Sequence, residues 1–229
     1  GSGFVWDDAG HVVTNYHVVA DATAAKVRLA DDRSYDAKLV GVSPENDLAV
    51  LKIKASNLPF VKFGDSTKTR VGDWVVAIGN PFGLGGTVTA GIVSALHRVT
   101  GQGGAYDRYI QTDASINQGN SGGPMFDVNG NVIGINTMIF SPTGGNVGIG
   151  FAIPAEQAYP IVEKLKGGAK LARGYLGVGI QPLDEGIADS LGIEKNHGEL
   201  IARVEPGQAA DKAGIKQGDV VVKVNGRDV

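Results

Sequence analysis

Gly119-Asn120-Ser121-Gly122-Gly123-Pro124 is the stretch from which the rest of the chain is read. Three glycines within five residues allow sharp turns, some at positive φ, that a Cβ disfavours. Such a turn presents Ser121 outward and lets the N–H groups of Gly119 and Ser121 converge on one point, the arrangement that stabilises an oxyanion. A serine alone is a weak nucleophile, so this reading requires a histidine as base and a carboxylate to orient it. Taken by itself, a glycine-flanked serine is more often an ordinary turn. It also fits the G-x-S-x-G elbow of α/β-hydrolases. That fold needs a helix after the serine and the order Ser, acid, His, whereas the residues after Ser121 read as a hairpin and the only later histidine is His197.

Composition narrows the classes. The chain's 229 residues allow one large domain, or one plus part of another, and 42% hydrophobic with 20% charged residues is ordinary for a soluble globular protein. Its 35 glycines favour a turn-rich, mainly β architecture. A net charge of −3, with no basic run to follow a phosphate backbone, argues against nucleic acid as a partner. No apolar stretch approaches bilayer-spanning length. With no cysteine and four scattered histidines, no metal or other cofactor is implied.

Outward from the serine, two series of short strands are predicted. The first comprises 3–6 and 11–14, joined by the Asp7-Asp8-Ala9-Gly10 turn, a possible helical turn at 15–20, then 25–29, 34–42 and 48–53. A polar connection at 64–72 separates the halves. The second series comprises 74–79, 86–97, 108–111, 124–126, 132–139 and 147–152, with Asn129-Gly130 as a type I′ hairpin signal. Segments 98–107 and 140–146 are glycine-rich loops. Apolar residues Ala158, Ile161, Val162 and Leu165 recur at helical spacing, Gly167-Gly168 is a stop, and Pro160 predicts a helix that starts or kinks there. The expected organisation is a first domain over 1–168, with halves at about 1–65 and 72–153 and a helix at about 155–167. A second β-rich unit covers 173–229, with an Asn225-Gly226 turn near its end.

The base is sought among His11, His17, His97 and His197. His17 directly follows a strand-like run, where a short turn would fix its ring; the others read as surface or satisfied histidines. Asp47 heads the apolar run Leu48 to Ile53, where a carboxylate can be desolvated and accept the Nδ1–H of histidine, leaving Nε2 to take the proton of Ser121. Asp113 is a rival acid, closer to Ser121 in sequence, and Asp47 could instead be a strand-initiating cap.

Three segments together resemble the trypsin-like serine proteases of the HtrA (Deg) family: Thr14-Asn15-Tyr16-His17-Val18-Val19, Asn46-Asp47-Leu48-Ala49-Val50 and the Ser121 stretch. Ala77-Ile78-Gly79-Asn80-Pro81-Phe82-Gly83 and Ile110-Gln111-Thr112-Asp113-Ala114 are similar to the same family's connecting motifs. The resemblance covers most of 1–166 and favours Asp47 over Asp113 as the catalytic acid. It implies a mainly β fold of two six-stranded barrels with His17, Asp47 and Ser121 in the cleft between them, and an oxyanion hole at Gly119 and Ser121. It also suggests Ile116, Thr137, Met138 and Ile149 as the apolar lining of a pocket for a small aliphatic side chain. Many trypsin-like enzymes carry Asp before the serine, paired with a newly cut N-terminal ammonium. Asn120 cannot make that ion pair, so residues 116–121 must be ordered by something else, and the loops at 98–107 and 140–146 are the candidates.

Arg173-Gly174-Tyr175-Leu176-Gly177-Val178 resembles the carboxylate-binding loop and strand of a PDZ domain, with Tyr175, Leu176, Gly177 and Val178 placed to capture a peptide C-terminus. In such domains the helix forming the other wall of the groove comes after the point reached by residue 229, so the PDZ unit is expected to be partial. The family implies an ATP-independent serine endopeptidase acting on unfolded or misfolded proteins in the periplasm or another extracytoplasmic compartment, with anchoring at a membrane through a segment outside this sequence as one arrangement it allows. It also implies a homotrimer or higher oligomer. Chaperone-like holding of unfolded chains is the alternative.

Overall fold

The computed structural model describes residues 1–80, 85–101, 107–142, 144–168, 174–183, 185–192 and 198–228. Pro81 to Gly83, residues 102–106 of the 98–107 loop, residue 143 of the 140–146 loop, Arg173 and His197 lie outside the described residues. The chain divides into two compact units, Gly1–Leu171 and Ala172–Val229.

In the first unit β1 (Phe4–Val5), β2 (His11–Thr14), helical turn α1 (Tyr16–Val19), β3 (Ala25–Arg28), β4 (Ser34–Ser43) and β5 (Leu48–Ile53) form one antiparallel sheet in the order β1-β2-β5-β4-β3. β5 lies between two strands and under a helix, which is why Leu48 to Leu51 is an unbroken buried apolar run rather than an alternating one. This half pairs five strands, one fewer than the resemblance implies. The segment toward the second half only brushes β1, with the Val61 N–H donating to Val5 O at 3.0 Å. Asn57 at φ 56° and Pro59, which has no N–H, interrupt any ladder there.

The second half, β6 (Trp74–Gly79), β7 (Thr87–Arg98), β8 (Tyr109–Thr112), β9 (Pro124–Phe126), β10 (Val132–Ile139) and β11 (Gly150–Pro154), closes into a six-stranded barrel. β11 starts at Gly150 rather than 147, because Gly148 sits at φ 84° and its N–H bonds the Asn146 side chain at 2.8 Å, holding a turn where extension was predicted. The hairpin between β9 and β10 is not type I′. Only Gly130 of the Asn129-Gly130 pair has positive φ, and the Asp127 carboxylate accepts the N–H groups of Asn129 and Asn131 at 2.9 Å each, closing a longer loop.

Helix α2 (Ala155–Lys166) begins five residues before Pro160 and runs through it, so Pro160 neither starts nor ends it. Proline removes one hydrogen bond, while Ala155, Ala158, Val162 and Leu165 bury a continuous stripe against β4, β5 and β10. One core joins Val13, Leu48 and Val50 to Ile135, Ile153, Val162 and Leu165; a second, inside the barrel, contains Val75, Val93, Ile110, Ile116 and Met125. Each fully buried aliphatic side chain contributes about 1.5–3 kcal/mol. The shared first core fixes the ends of β2, β5 and β10 relative to one another.

The second unit holds a three-stranded sheet, β12 (Val178–Pro182), β13 (Glu199–Val204) and β14 (Val220–Val221), in the order β12-β13-β14. Helices α3 (Glu185–Leu191) and α4 (Ala209–Lys212) accompany it, and a hairpin of β15 (Lys223–Val224) and β16 (Arg227–Asp228) ends it. Asn225 and Gly226 both have positive φ, 51° and 79°, so the type I′ turn is found here.

Candidate active site

The buried end of β2 delivers Thr14 and Asn15 to the start of α1, on which His17 stands. Asp47 follows a short 3-10 turn (Pro44–Asn46) and adopts the left-handed conformation, φ 53°, directly before β5. Asp tolerates this region better than most residues. It aims the carboxylate back at α1: the His17 N–H donates to Oδ1 at 2.8 Å and Nδ1 meets Oδ2 at 2.7 Å. An ionised carboxylate only accepts, so the proton lies on Nδ1 and Nε2 is the basic nitrogen. The Thr137 hydroxyl donates to Asp47 Oδ2 at 3.3 Å, and Asn15 Nδ2 donates both to Thr137 Oγ1 at 2.6 Å and to Asp47 O at 2.9 Å. The dyad is thereby tied to β10.

Gly119 and Gly122 take positive φ, 109° and 87°, as the nucleophile reading requires. Gly122 has a second reason to be glycine: a Cβ there would collide with Ser2 O and the Thr14 hydroxyl. Ser121 Oγ donates to Thr137 O at 3.0 Å, and among the described residues no hydrogen bond joins it to His17. The Ser121 hydroxyl therefore rests on the main chain of the same residue whose side chain steadies Asp47. Among the described residues the N–H groups of Gly119 and Ser121 have no protein acceptor.

The loop around them is held on three sides. Asn120 donates its N–H to Asn117 O at 3.0 Å and Nδ2 to Ser115 O at 3.3 Å. Asn146 donates Nδ2 to Ile116 O at 2.9 Å and its N–H to Asn117 Oδ1 at 3.2 Å. Ser2 donates its hydroxyl to Gly119 O at 2.6 Å and its N–H to Ser121 O at 2.9 Å.

The known trypsin-like peptidase domain family matches residues 1–135, and the PDZ domain family matches 168–229. The solved structure described as "HtrA-type protease AlgW with tripeptide" superposes with a TM-score of 0.90 at 45% identity, covering all of this chain and 76% of that one. These findings fix the family. The chain belongs to the HtrA-type trypsin-like peptidases. A serine endoprotease from Yersinia pestis superposes with a TM-score of 0.73 at 40% identity, over all of this chain and 74% of that one. A relative named "probable periplasmic serine endoprotease DegP-like", from Bartonella henselae, is 56% identical over 230 residues. The HtrA-type chain spans 45% of that relative's length.

Of the residues expected to line its specificity pocket, Ile116 is buried in the barrel core and the Thr137 hydroxyl is engaged by Asn15 and Asp47. Met138 and Ile149 are half-buried, packed on the edge of the first core. Asp113 Oδ1 accepts the Ile92 N–H at 2.7 Å, a bond that fixes β7. His11 forms a second histidine–aspartate pair, with Asp7, also bidentate: N–H to Oδ1 at 3.0 Å and Nδ1 to Oδ2 at 2.7 Å. That pair is covered, with His11 13% exposed against 49% for His17, and Lys166 reaches Asp7 at 2.8 Å.

In the second unit Leu176 and Gly177 offer N–H groups without acceptors among the described residues, while their carbonyls receive Ala210 N–H at 2.9 Å and Glu205 N–H at 2.8 Å. Tyr175 is exposed, its hydroxyl donating to Glu205 at 2.9 Å, and Val178 begins β12, an edge strand. Sequence reasoning missed Ser2, Asn15 and Asn146 as site residues and the role of the Thr137 hydroxyl. Each acts through hydrogen bonds to groups distant in sequence, which leaves no periodic or spacing signal.

Proposed function

We propose that this chain is an ATP-independent serine endopeptidase that cleaves unfolded or damaged polypeptides through an acyl-enzyme at Ser121. The observation that carries it is the bidentate His17–Asp47 pair, joined through Thr137 to a glycine-built loop whose Gly119 and Ser121 N–H groups have no acceptor among the described residues. Ser121 turns from Thr137 O toward His17 Nε2, which takes its proton as the hydroxyl attacks the scissile carbonyl. The Gly119 and Ser121 amides stabilise the oxyanion, and the imidazolium then protonates the leaving amine. Half-buried Met138 and Ile149 support a preference for a small aliphatic side chain before the scissile bond. In the second unit, the N–H groups of Leu176 and Gly177, without acceptors among the described residues and beside edge strand β12, suit capture of a peptide C-terminus by strand addition. The relatives' names place them in the periplasm, and we assign this chain to the same compartment, as a homotrimer or a multiple of it. No observation favours a holding role in place of proteolysis.

A fluorophosphonate probe tests the reading, since it requires both an activated serine and a formed oxyanion site. Covalent labelling of Ser121 that is lost in Ser121→Ala and His17→Ala, with casein cleavage lost in parallel, is the expected result. Casein cleavage retained by Ser121→Ala would overturn it.

A further inference from the structure

We propose that Ser2 is a positioning residue for the oxyanion loop, supplying with neutral hydrogen bonds the ordering that Asn120 cannot obtain from an ammonium. This rests on the serine-peptidase reading above. Ser2 lies 117 residues from Gly119 in sequence, yet every polar group it owns is engaged at the nucleophile turn or at the strands that flank it. Its hydroxyl donates to Gly119 O at 2.6 Å and accepts the Asn80 N–H at 2.9 Å. Its N–H donates to Ser121 O at 2.9 Å, and its carbonyl accepts the Thr14 hydroxyl at 2.6 Å.

The consequence for the loop follows peptide by peptide. The carbonyls of Gly119 and Ser121 are both drawn to Ser2, and the Asn120 carbonyl is taken by the Gly123 N–H at 2.9 Å. Ser2 thus holds the peptides that follow Gly119 and Ser121, and the Gly123 N–H holds the peptide between them that carries the Ser121 N–H; the N–H groups of Gly119 and Ser121 have no protein acceptor among the described residues, as an oxyanion site requires. The Asn80 N–H fixes the direction of the hydroxyl: it occupies an acceptor lone pair of Oγ, so the hydroxyl hydrogen points at Gly119 O, and the two bonds polarise one another. Asn80 directly follows β6 of the barrel and Thr14 ends β2 of the first sheet. Ser2 therefore references the loop to both halves at once. Alanine would remove the hydroxyl and leave Gly119 O and the Asn80 N–H unpaired, while the two main-chain bonds of residue 2 could persist.

The test compares Ser2→Ala and Ser2→Thr with the wild-type chain in peptide hydrolysis, fluorophosphonate labelling and affinity for a peptide boronate, whose tetrahedral adduct places an oxygen in the oxyanion site. Ser2→Ala is expected to lower kcat by about 10- to 100-fold with KM within about threefold. Boronate affinity should fall by a similar factor, and Ser2→Thr, which keeps the hydroxyl, should recover most of both. A purely structural role would lower the folding midpoint without this selective loss of boronate affinity. Ser2→Ala with wild-type kcat and boronate affinity overturns the proposal, as does a loss that Ser2→Thr does not restore. Should Ser2→Ala not fold, Ser2→Cys, with its weaker donor, takes its place: an intermediate boronate affinity supports the proposal and a wild-type value overturns it. A wild-type chain that the fluorophosphonate does not label would instead overturn the serine-peptidase reading itself.

Discussion

At the scale of single residues, the site depends on atoms whose partners are far away in sequence. Thr137 meets the dyad through its hydroxyl and Ser121 through its carbonyl. Thr137→Val keeps the shape and the carbonyl but removes the hydroxyl that donates to Asp47 and accepts from Asn15, so kcat is expected to fall about 5- to 10-fold, read from initial rates on a peptide substrate. Gly79 is a sharper case. A Cβ there would strike the Asn120 side-chain oxygen and lie 2.8 Å from Asn120 Cα, pushing the nucleophile turn away from β6. Gly79→Ala should lower fluorophosphonate labelling at least about 100-fold while the chain still unfolds cooperatively in urea. The His17–Asp47 pair and the Ser121 turn were legible in the sequence because glycine clustering and the acid heading an apolar strand are local signals. Dyad geometry alone is not diagnostic: His11 and Asp7 reproduce it, and only the exposure of His17 and its proximity to β10 separate the two.

Elements were readable where one force dominated. β2, β5, β6 and α2 emerge close to their predicted bounds because apolar runs or stripes set them. The departures lie where a side chain or a special φ intervened. Asp127 converted the expected tight turn into a longer loop, Asn146 delayed β11, and burial of one helical stripe carried α2 through Pro160. The last of these is testable. Pro160 is exposed, so replacing it removes no core contact and restores an N–H for the Glu156 carbonyl. Pro160→Ala is expected to stabilise the first unit by about 1–3 kcal/mol, measured as an increase in the urea midpoint at unchanged m. A decrease would mean that the ring itself is needed for the packing of α2.

At the scale of the molecule, the first unit is closed by a contact between its beginning and its end. Lys166, in the last turn of α2, reaches Asp7 at 2.8 Å and lies 5.0 Å over the Trp6 ring. Burial opposes the charge on Asp7, but the hydrogen bonds from Lys166 and His11 outweigh it and bring its carboxyl from the usual 3.8 to about 2. The unfolded chain therefore binds the proton more readily. The resulting stabilisation, about 2 kcal/mol, is complete above about pH 4 and is lost as pH falls toward 2. Asp7→Asn should remove a similar amount at pH 7 and flatten the acid limb of stability against pH, followed by urea unfolding between pH 2.5 and 7. The bond from Ser121 to Thr137 O has a molecular consequence of its own. It holds the hydroxyl away from His17, and reaching His17 exchanges this neutral hydrogen bond for another of about the same strength. Side-chain rotation takes picoseconds to nanoseconds, far faster than turnover, so this equilibrium sets no clock. A bound substrate that displaces Ser121 from Thr137 O would shift that equilibrium toward the rotamer facing His17.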